Sequence, residues 1–204
     1  MNEFFEKGFK FIDLFAGIGG FHQAMKQLNG KCVFAAEISP ETAETYKNNY
    51  GIEACFDITK VNPDDIPEHD VLCAGFPCQD ISTIGAKKGL SGTRSSLIRE
   101  VFRLLESSKV EWVVIENVTN MIHLHKGEII QTIVTELEKL GYKWAYRTID
   151  SLSFVPQHRC RVYVVASLNH NPNDVLLSNS ITSQLGIVNP NTFNAPCGFY
   201  WTEG

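Results

Sequence analysis

Four short clusters in this sequence carry side chains whose types and spacing suit chemistry. Cys78 stands in Gly75-Phe76-Pro77-Cys78-Gln79, directly after the apolar run Val71–Gly75. A free thiol has a pKa of about 8.5 and is only a few per cent thiolate at neutral pH, but that thiolate is a strong nucleophile. The alternative is a buried cysteine at a strand end, behaving as a small hydrophobe. Glu116-Asn117 ends a second apolar run, Trp112–Ile115, where a carboxyl group opens onto the carboxyl edge of a parallel sheet. Gln157-His158-Arg159-Cys160-Arg161 precedes a third run. In an extended segment Arg159 and Arg161 share a face, so both guanidinium groups can address one substrate. Read singly, the acid is an ordinary strand terminus and the arginines a solvated surface pair.

The fourth cluster is a glycine turn, Phe15-Ala16-Gly17-Ile18-Gly19-Gly20, between a strand-like and a helix-like segment. Such a turn lets a ligand approach the backbone. Glu37 follows Gly17 by twenty residues at the end of the next strand-like run, where an acid accepts from ribose hydroxyls. Asp57, after Ala54-Cys55-Phe56, ends a possible third strand and suits an adenine amino group. A tight structural turn with two surface acids is the alternative. The turn alone fits a nicotinamide cofactor as well as S-adenosylmethionine.

Elements that position these clusters alternate along the chain. Strands are predicted over 9–15, 31–38, 71–75 and 112–115. Helices are predicted through Met25 and Leu28, from Pro40 with Ser39 as N-cap, over 95–107 and over 128–140 with Gly141 as C-cap. The last two strands, 142–149 and 161–166, are expected as an antiparallel pair. This βαβ pattern predicts an α/β fold with a doubly wound, mostly parallel sheet. From Asn169 to Asn194 the chain is rich in Asn, Pro and Ser, as a linker is, and an aromatic cluster, Phe199-Tyr200-Trp201, follows. The expected organisation is a domain over 1–168 and a linker with the start of an incomplete region over 169–204.

Composition narrows the function classes. Of 204 residues, 44% are hydrophobic and 20% charged, a globular composition. With mean hydropathy −0.09 and no long uncharged apolar run, no transmembrane helix is expected. The acidic start, Met1 to Lys7, lacks the basic region of a secretory signal, so a cytoplasmic protein is expected. The six cysteines are scattered without a Cys-x-x-Cys pair, and His123 and His125 are two apart, so no metal site is expected. Net charge −5 leaves no basic footprint for nucleic acid.

Taken together and in this order, the clusters resemble the DNA (cytosine-5)-methyltransferase family of bacterial restriction-modification systems. The resemblance rests on Asp13 to Phe21, on Gly75 to Gln79 with Ser82 after it, on Glu116-Asn117-Val118, and on Gln157 to Arg161, and covers residues 9–167. It implies a Rossmann-like fold and S-adenosylmethionine as cofactor, with Phe15, Gly17, Glu37, Asp57, Pro77 and Leu97 at its site, together with Gly19. It implies double-stranded DNA as partner, contacted by a loop with Gln79, Ser82, Lys87, Lys88 and Arg94. Cys78 would add to carbon 6 of a flipped-out cytosine, Glu116 would hold or protonate ring nitrogen 3, Arg161 would bind the base carbonyl, and Arg159 would position Glu116 or the backbone. Members of the family continue into a target-recognition region and a further helix that completes the cofactor pocket, and neither is in this sequence. The expectation is therefore a truncated or split enzyme completed by a second chain or a missing C-terminal region. A tRNA cytosine-5 methyltransferase and an inactive cofactor-binding fragment are the alternatives. A nicotinamide oxidoreductase would leave the cysteine, Glu-Asn and arginine clusters unexplained.

Overall fold

Five of the six residues of β1 (Phe9–Leu14) are buried, and only Lys10 reaches solvent. A strand covered on both faces belongs in the middle of a parallel sheet. β1 pairs in parallel with β2 (Gly30–Ala36) on one side and with β3 (Val71–Ala74) on the other. β3 in turn pairs in parallel with β4 (Trp112–Val118), from Val71↔Trp112 to Ala74↔Ile115. The strand order β2-β1-β3-β4 therefore reverses at β1, and ligands bind at the carboxyl ends of strands at such a switch point.

The computed structural model describes residues 6–54, 56–77 and 96–176, which fall in two units, Met1–Ile115 and Glu116–Gly204. In the first unit, α1 (Gly20–Gln27) and α2 (Pro40–Tyr50) follow β1 and β2. Ser39 caps α2 by accepting from Thr42 N and Pro40 occupies the first turn, as the sequence suggests, and Gly51 (φ 71°) ends the helix. α3 (Ser96–Ser107) buries Ile98, Val101, Phe102 and Leu105, a helical stripe at i, i+3, i+4, i+7.

Among the described residues, the segment that could form a third strand before Asp57 does not extend into a ladder. Ala54 and Phe56 make a single bridge to Glu37, with Glu37 N donating to Ala54 O (2.7 Å) and Phe56 N to Glu37 O (3.2 Å). Extension stops there because Asp57 caps a 3₁₀ turn, Ile58–Lys60, by accepting from Thr59 N. Cys55 lies outside the described residues.

In the second unit, the end of β4 leads to α4 (Asn120–His123) and α5 (Glu128–Lys139), which buries Ile129, Ile133, Val134 and Leu137. Gly141 takes φ 91° just beyond α5. β5 (Lys143–Asp150) and β6 (Cys160–Ser167) form the expected antiparallel pair, from Lys143↔Ser167 to Asp150↔Cys160. A short helix, α6 (Asn173–Leu176), follows, and Arg147 Nη1 donates to Leu176 O (2.7 Å). The stretch from 177 onward, including Phe199, Tyr200 and Trp201, lies outside the described residues. Among the described residues no helix is long and apolar enough to cross a membrane, and no group of three metal-ligating side chains occurs.

Candidate active site

Register brings the cleft together in the first unit. Leu14 pairs with Ala36 on one side and Ala74 on the other, so Phe15, Glu37 and Gly75 each stand one step beyond aligned strand ends. All three line a cleft of about 220 Å³ with Ile38, Phe56, Asp57, Ile58, Pro77 and Leu97. Ile38 is 71% exposed and Phe56 42%, although both are large apolar side chains. Phe56 is held by stacking on Phe34, and the Ile58 carbonyl accepts from Arg103 Nη2 of α3 (3.0 Å). The result is an open slot with apolar sides.

Glu37 is the fixed acid of this slot. Its Oε2 accepts from Gly17 N (2.9 Å) and its Oε1 from Ser39 N (2.8 Å), so the glycine turn and the α2 cap both orient it. Each carboxylate oxygen retains a lone pair for a further donor. Phe15 adopts a left-handed conformation (φ 56°), uncommon for a residue with a side chain. Gly17 reaches the slot through Glu37 and does not itself line it. Gly19 answers to packing: a Cβ there would stand 2.1 Å from Tyr50 Cε2, and the Tyr50 hydroxyl donates to Gly19 O (3.0 Å). Asp57 lines the slot, while its Oδ1 accepts from Thr59 N and Thr59 Oγ1 and its Oδ2 pairs with Lys60. The Thr59 hydroxyl, followed by Lys60, holds the Asp57 carboxyl below its usual pKa.

Beneath the turn lies a buried polar cluster. Asp13 is fully buried and neither oxygen has a hydrogen-bond partner of good geometry, though the His22 amide and the Tyr46 hydroxyl lie near enough to favour its charge. Burial outweighs them and, with the nearby Glu37 charge, pushes the carboxyl pKa to about 8. His22 Nδ1 lies 2.7 Å from the Tyr46 hydroxyl, and burial lowers its pKa. Burial also raises the Cys32 thiol to about 11 and holds the Cys73 thiol well above its ordinary range.

In the second unit the side chains of Arg159 and Arg161 meet one carboxylate. Arg161 Nε lies 3.1 Å and an Arg159 Nη 3.5 Å from Glu116 Oε1. Arg161 Nη1 also donates to Cys160 O (2.9 Å). Strand alternation puts Tyr163 on the same face as Arg161, and burial, then the Glu116 charge, raises its pKa. Next to Glu116, Asn117 is buried and its Oδ1 accepts from Val118 N (2.8 Å), which closes the end of β4.

A family model described as C-5 cytosine-specific DNA methylase matches residues 9–195. The chain belongs to this family. Among the relatives of this chain, the type II methyltransferase M.MspI of Moraxella sp is 43% identical over 169 residues, 82% of this chain and 40% of that protein. The type II methyltransferase M2.BsuMI of Bacillus subtilis is 35% identical and is matched over 96% of this chain and 52% of its own length. The chain thus spans about half, or less, of the relatives it matches. In structure it resembles the S. pombe Dnmt2 methyltransferase, with a TM-score of 0.68 and 25% identity over 89% of this chain and 58% of that one.

Of the residues expected to hold a cofactor, Phe15, Glu37, Asp57, Pro77 and Leu97 line one slot. Cys78, Gln79, Ser82, Lys87, Lys88 and Arg94 lie outside the described residues. Sequence reasoning missed Ile38, Phe56 and Ile58 as walls, Arg103 as the brace of Ile58, and Tyr163 beside Glu116. A bulky apolar residue after each acid, Ile38 after Glu37 and Ile58 after Asp57, was the available signal.

Proposed function

We propose that this chain is the cofactor-binding and catalytic portion of an enzyme that methylates carbon 5 of cytosine in double-stranded DNA, in the cytoplasm, as part of a restriction-modification system. S-adenosylmethionine, when bound, supplies an electrophilic sulfonium methyl group. The slot fits it: Ile38, Phe56 and Ile58 offer apolar faces to an adenine ring, and Glu37, already oriented by two amides, accepts from ribose hydroxyls. Phe15, Pro77 and Leu97 complete the walls, Asp57 addresses the adenine amino group, and Gly17 and Gly19 shape the turn.

The observation that carries the reading is the convergence of Arg159 and Arg161 on Glu116. Ring nitrogen 3 and the carbonyl oxygen of cytosine are neighbouring atoms. The Glu116 carboxyl group beside the Nε edge of Arg161 sets a group that can carry a proton next to a guanidinium, the two donors that those acceptor atoms require. The Cys78 thiolate adds to carbon 6, Glu116 holds or protonates nitrogen 3, and Arg161 binds the carbonyl oxygen, so the charge of addition is drawn off the ring. Arg159 positions Glu116. Carbon 5 then takes the methyl group and gives up its proton to a base. The bond between carbon 6 and the Cys78 sulfur breaks to return the thiolate, and nitrogen 3 hands any proton it had taken back to Glu116 as 5-methylcytosine is released. Cys32 and Cys73 are unsuited to the nucleophile's role, because burial holds both as thiols. The base must leave the duplex for this chemistry, at a cost of a few kcal/mol.

The loop with Gln79, Ser82, Lys87, Lys88 and Arg94 contacts the DNA. Target recognition belongs to the part of the relatives that this chain does not span, supplied by a continuing or a second chain. The names of the relatives, type II methyltransferases, favour DNA over tRNA as substrate. Cys78→Ser tests the mechanism in the completed enzyme. Covalent trapping on 5-fluorocytosine DNA should vanish while S-adenosylmethionine affinity stays within a few fold, because an alkoxide is far less accessible than a thiolate at neutral pH. Trapping retained in the variant removes Cys78 from its role.

A further inference from the structure

The turn between β5 and β6 is built around one buried carboxylate. Asp150, the last residue of β5, exposes 2% of its side chain. Its Oδ1 accepts from Leu152 N (3.0 Å) and Arg159 N (3.2 Å), and its Oδ2 lies 3.3 Å from His158 Nδ1. Ser151 closes the same turn, its amide donating to Arg159 O (3.2 Å) and its hydroxyl to Gln157 O (2.7 Å). Both backbone polar groups of Arg159 are therefore fixed, and the ladder pair Asp150↔Cys160 fixes the residue after it. A buried carboxylate deprived of its donors is strongly destabilising, so the turn keeps the one conformation that supplies them.

We propose that Asp150 is a positioning residue of the Glu116 site. By holding the Arg159 amide it fixes where β6 begins, and so where the Arg159 and Arg161 side chains meet Glu116 Oε1, at 3.5 and 3.1 Å. The side-chain oxygen Oδ1, which accepts from the Arg159 amide, does this, and the contact to His158 is secondary. The bearing on cytosine chemistry rests on the function proposed above, whereas the positioning is read from the arginines themselves.

The test is an exchange measurement on the full chain labelled with ¹⁵N-arginine. Arg161 Nε–H, which faces Glu116, is the probe, and Arg103 Nε–H, which pairs with Glu100 at 2.6 Å in the other unit, is the control. In Asp150→Ala, Arg161 Nε–H should exchange with water about tenfold faster while Arg103 is unchanged, at a temperature where circular dichroism shows a folded chain. Asp150→Asn keeps an oxygen for Leu152 N and Arg159 N, and should stay within about twofold of the parent. Asp150→Ser, which can still cap Leu152 but is too short for Arg159, should match alanine and serves if the alanine variant does not fold. A folded alanine or serine variant that unfolds at lower temperature with Arg161 exchange unchanged makes Asp150 a cap only and overturns the proposal. Equal loosening by asparagine and alanine overturns it too, since the side-chain oxygen that accepts from the Arg159 amide would then not be what matters. The expected arginine response in an enzyme that transfers no methyl group supports the positioning and refutes the proposed function alone.

Discussion

Two carboxyl groups in the first unit stand close in space and have opposite tasks. Glu37 is oriented by two backbone amides at the rim of the slot, and its charge is available to a ligand. Replacing it with alanine should weaken S-adenosylmethionine binding by about 1–3 kcal/mol, from lost hydrogen bonds to a charged acceptor. Calorimetry showing unchanged affinity would put the ribose elsewhere. Asp13 is buried, and its pKa of about 8 lies above the 3.8 of an ordinary aspartate. The folded chain therefore holds a proton that the unfolded chain releases, and the stability from this group, complete below about 3.8, is lost as pH rises through about 8. Asp13→Asn removes this slope, so its urea midpoint should gain on the parent's steadily from pH 5 to about 8 and level off above that. His22, whose pKa is lowered, adds a slope of opposite sign on the acid side in both proteins and cancels in the comparison. Parallel midpoint curves for the two proteins would show that Asp13 does not hold the proton.

At the scale of elements, the glycine turn joins β1 to α1 against a ring from α2. Gly19 has φ 96°, and a Cβ there meets the Tyr50 ring at 2.1 Å, with Tyr50 in turn stacked on His22. Gly19→Ala should lower unfolding stability by about 1–3 kcal/mol, from backbone strain together with displacement of Tyr50. Chemical denaturation of the two chains measures this directly. A variant with parental stability would mean that the tyrosine swings aside at no cost. A loss of cofactor affinity larger than the loss of stability would locate the glycine's importance at the ligand.

For the molecule as a whole, the decisive matter is the half of its relatives that it does not span. Net charge −5 opposes the counterion-release term that drives non-specific DNA binding. Specificity needs base-edge contacts in addition to phosphate contacts. The chain by itself should therefore bind DNA with little sequence preference and methylate a mixed-sequence plasmid slowly or not at all. Supplying in trans the region that follows in a relative should restore sequence-specific methylation, read by protection from restriction enzymes. Efficient specific methylation by the 204-residue chain alone would refute this division of labour.

The sequence by itself determined the order of strands and helices, the α2 cap at Ser39, the antiparallel last pair and the family. These follow from short-range chemistry: apolar runs, Pro and Gly positions, and residue types grouped within a few neighbours. Tertiary structure alone decided the rest. Ile38, Phe56 and Ile58 become a slot only when register aligns the ends of β1, β2 and β3. Extension ended at a single bridge where a third strand was expected, because Asp57 caps a turn, a competition that periodicity cannot rank. Gly19 reads as a ligand glycine in sequence, but its neighbour in space is Tyr50, thirty-one residues away. Asp150 carries no motif, and its contact with the Arg159 amide exists only where β5 and β6 pair. Local propensity writes the elements, but which side chains face one another depends on distances between residues far apart in the chain.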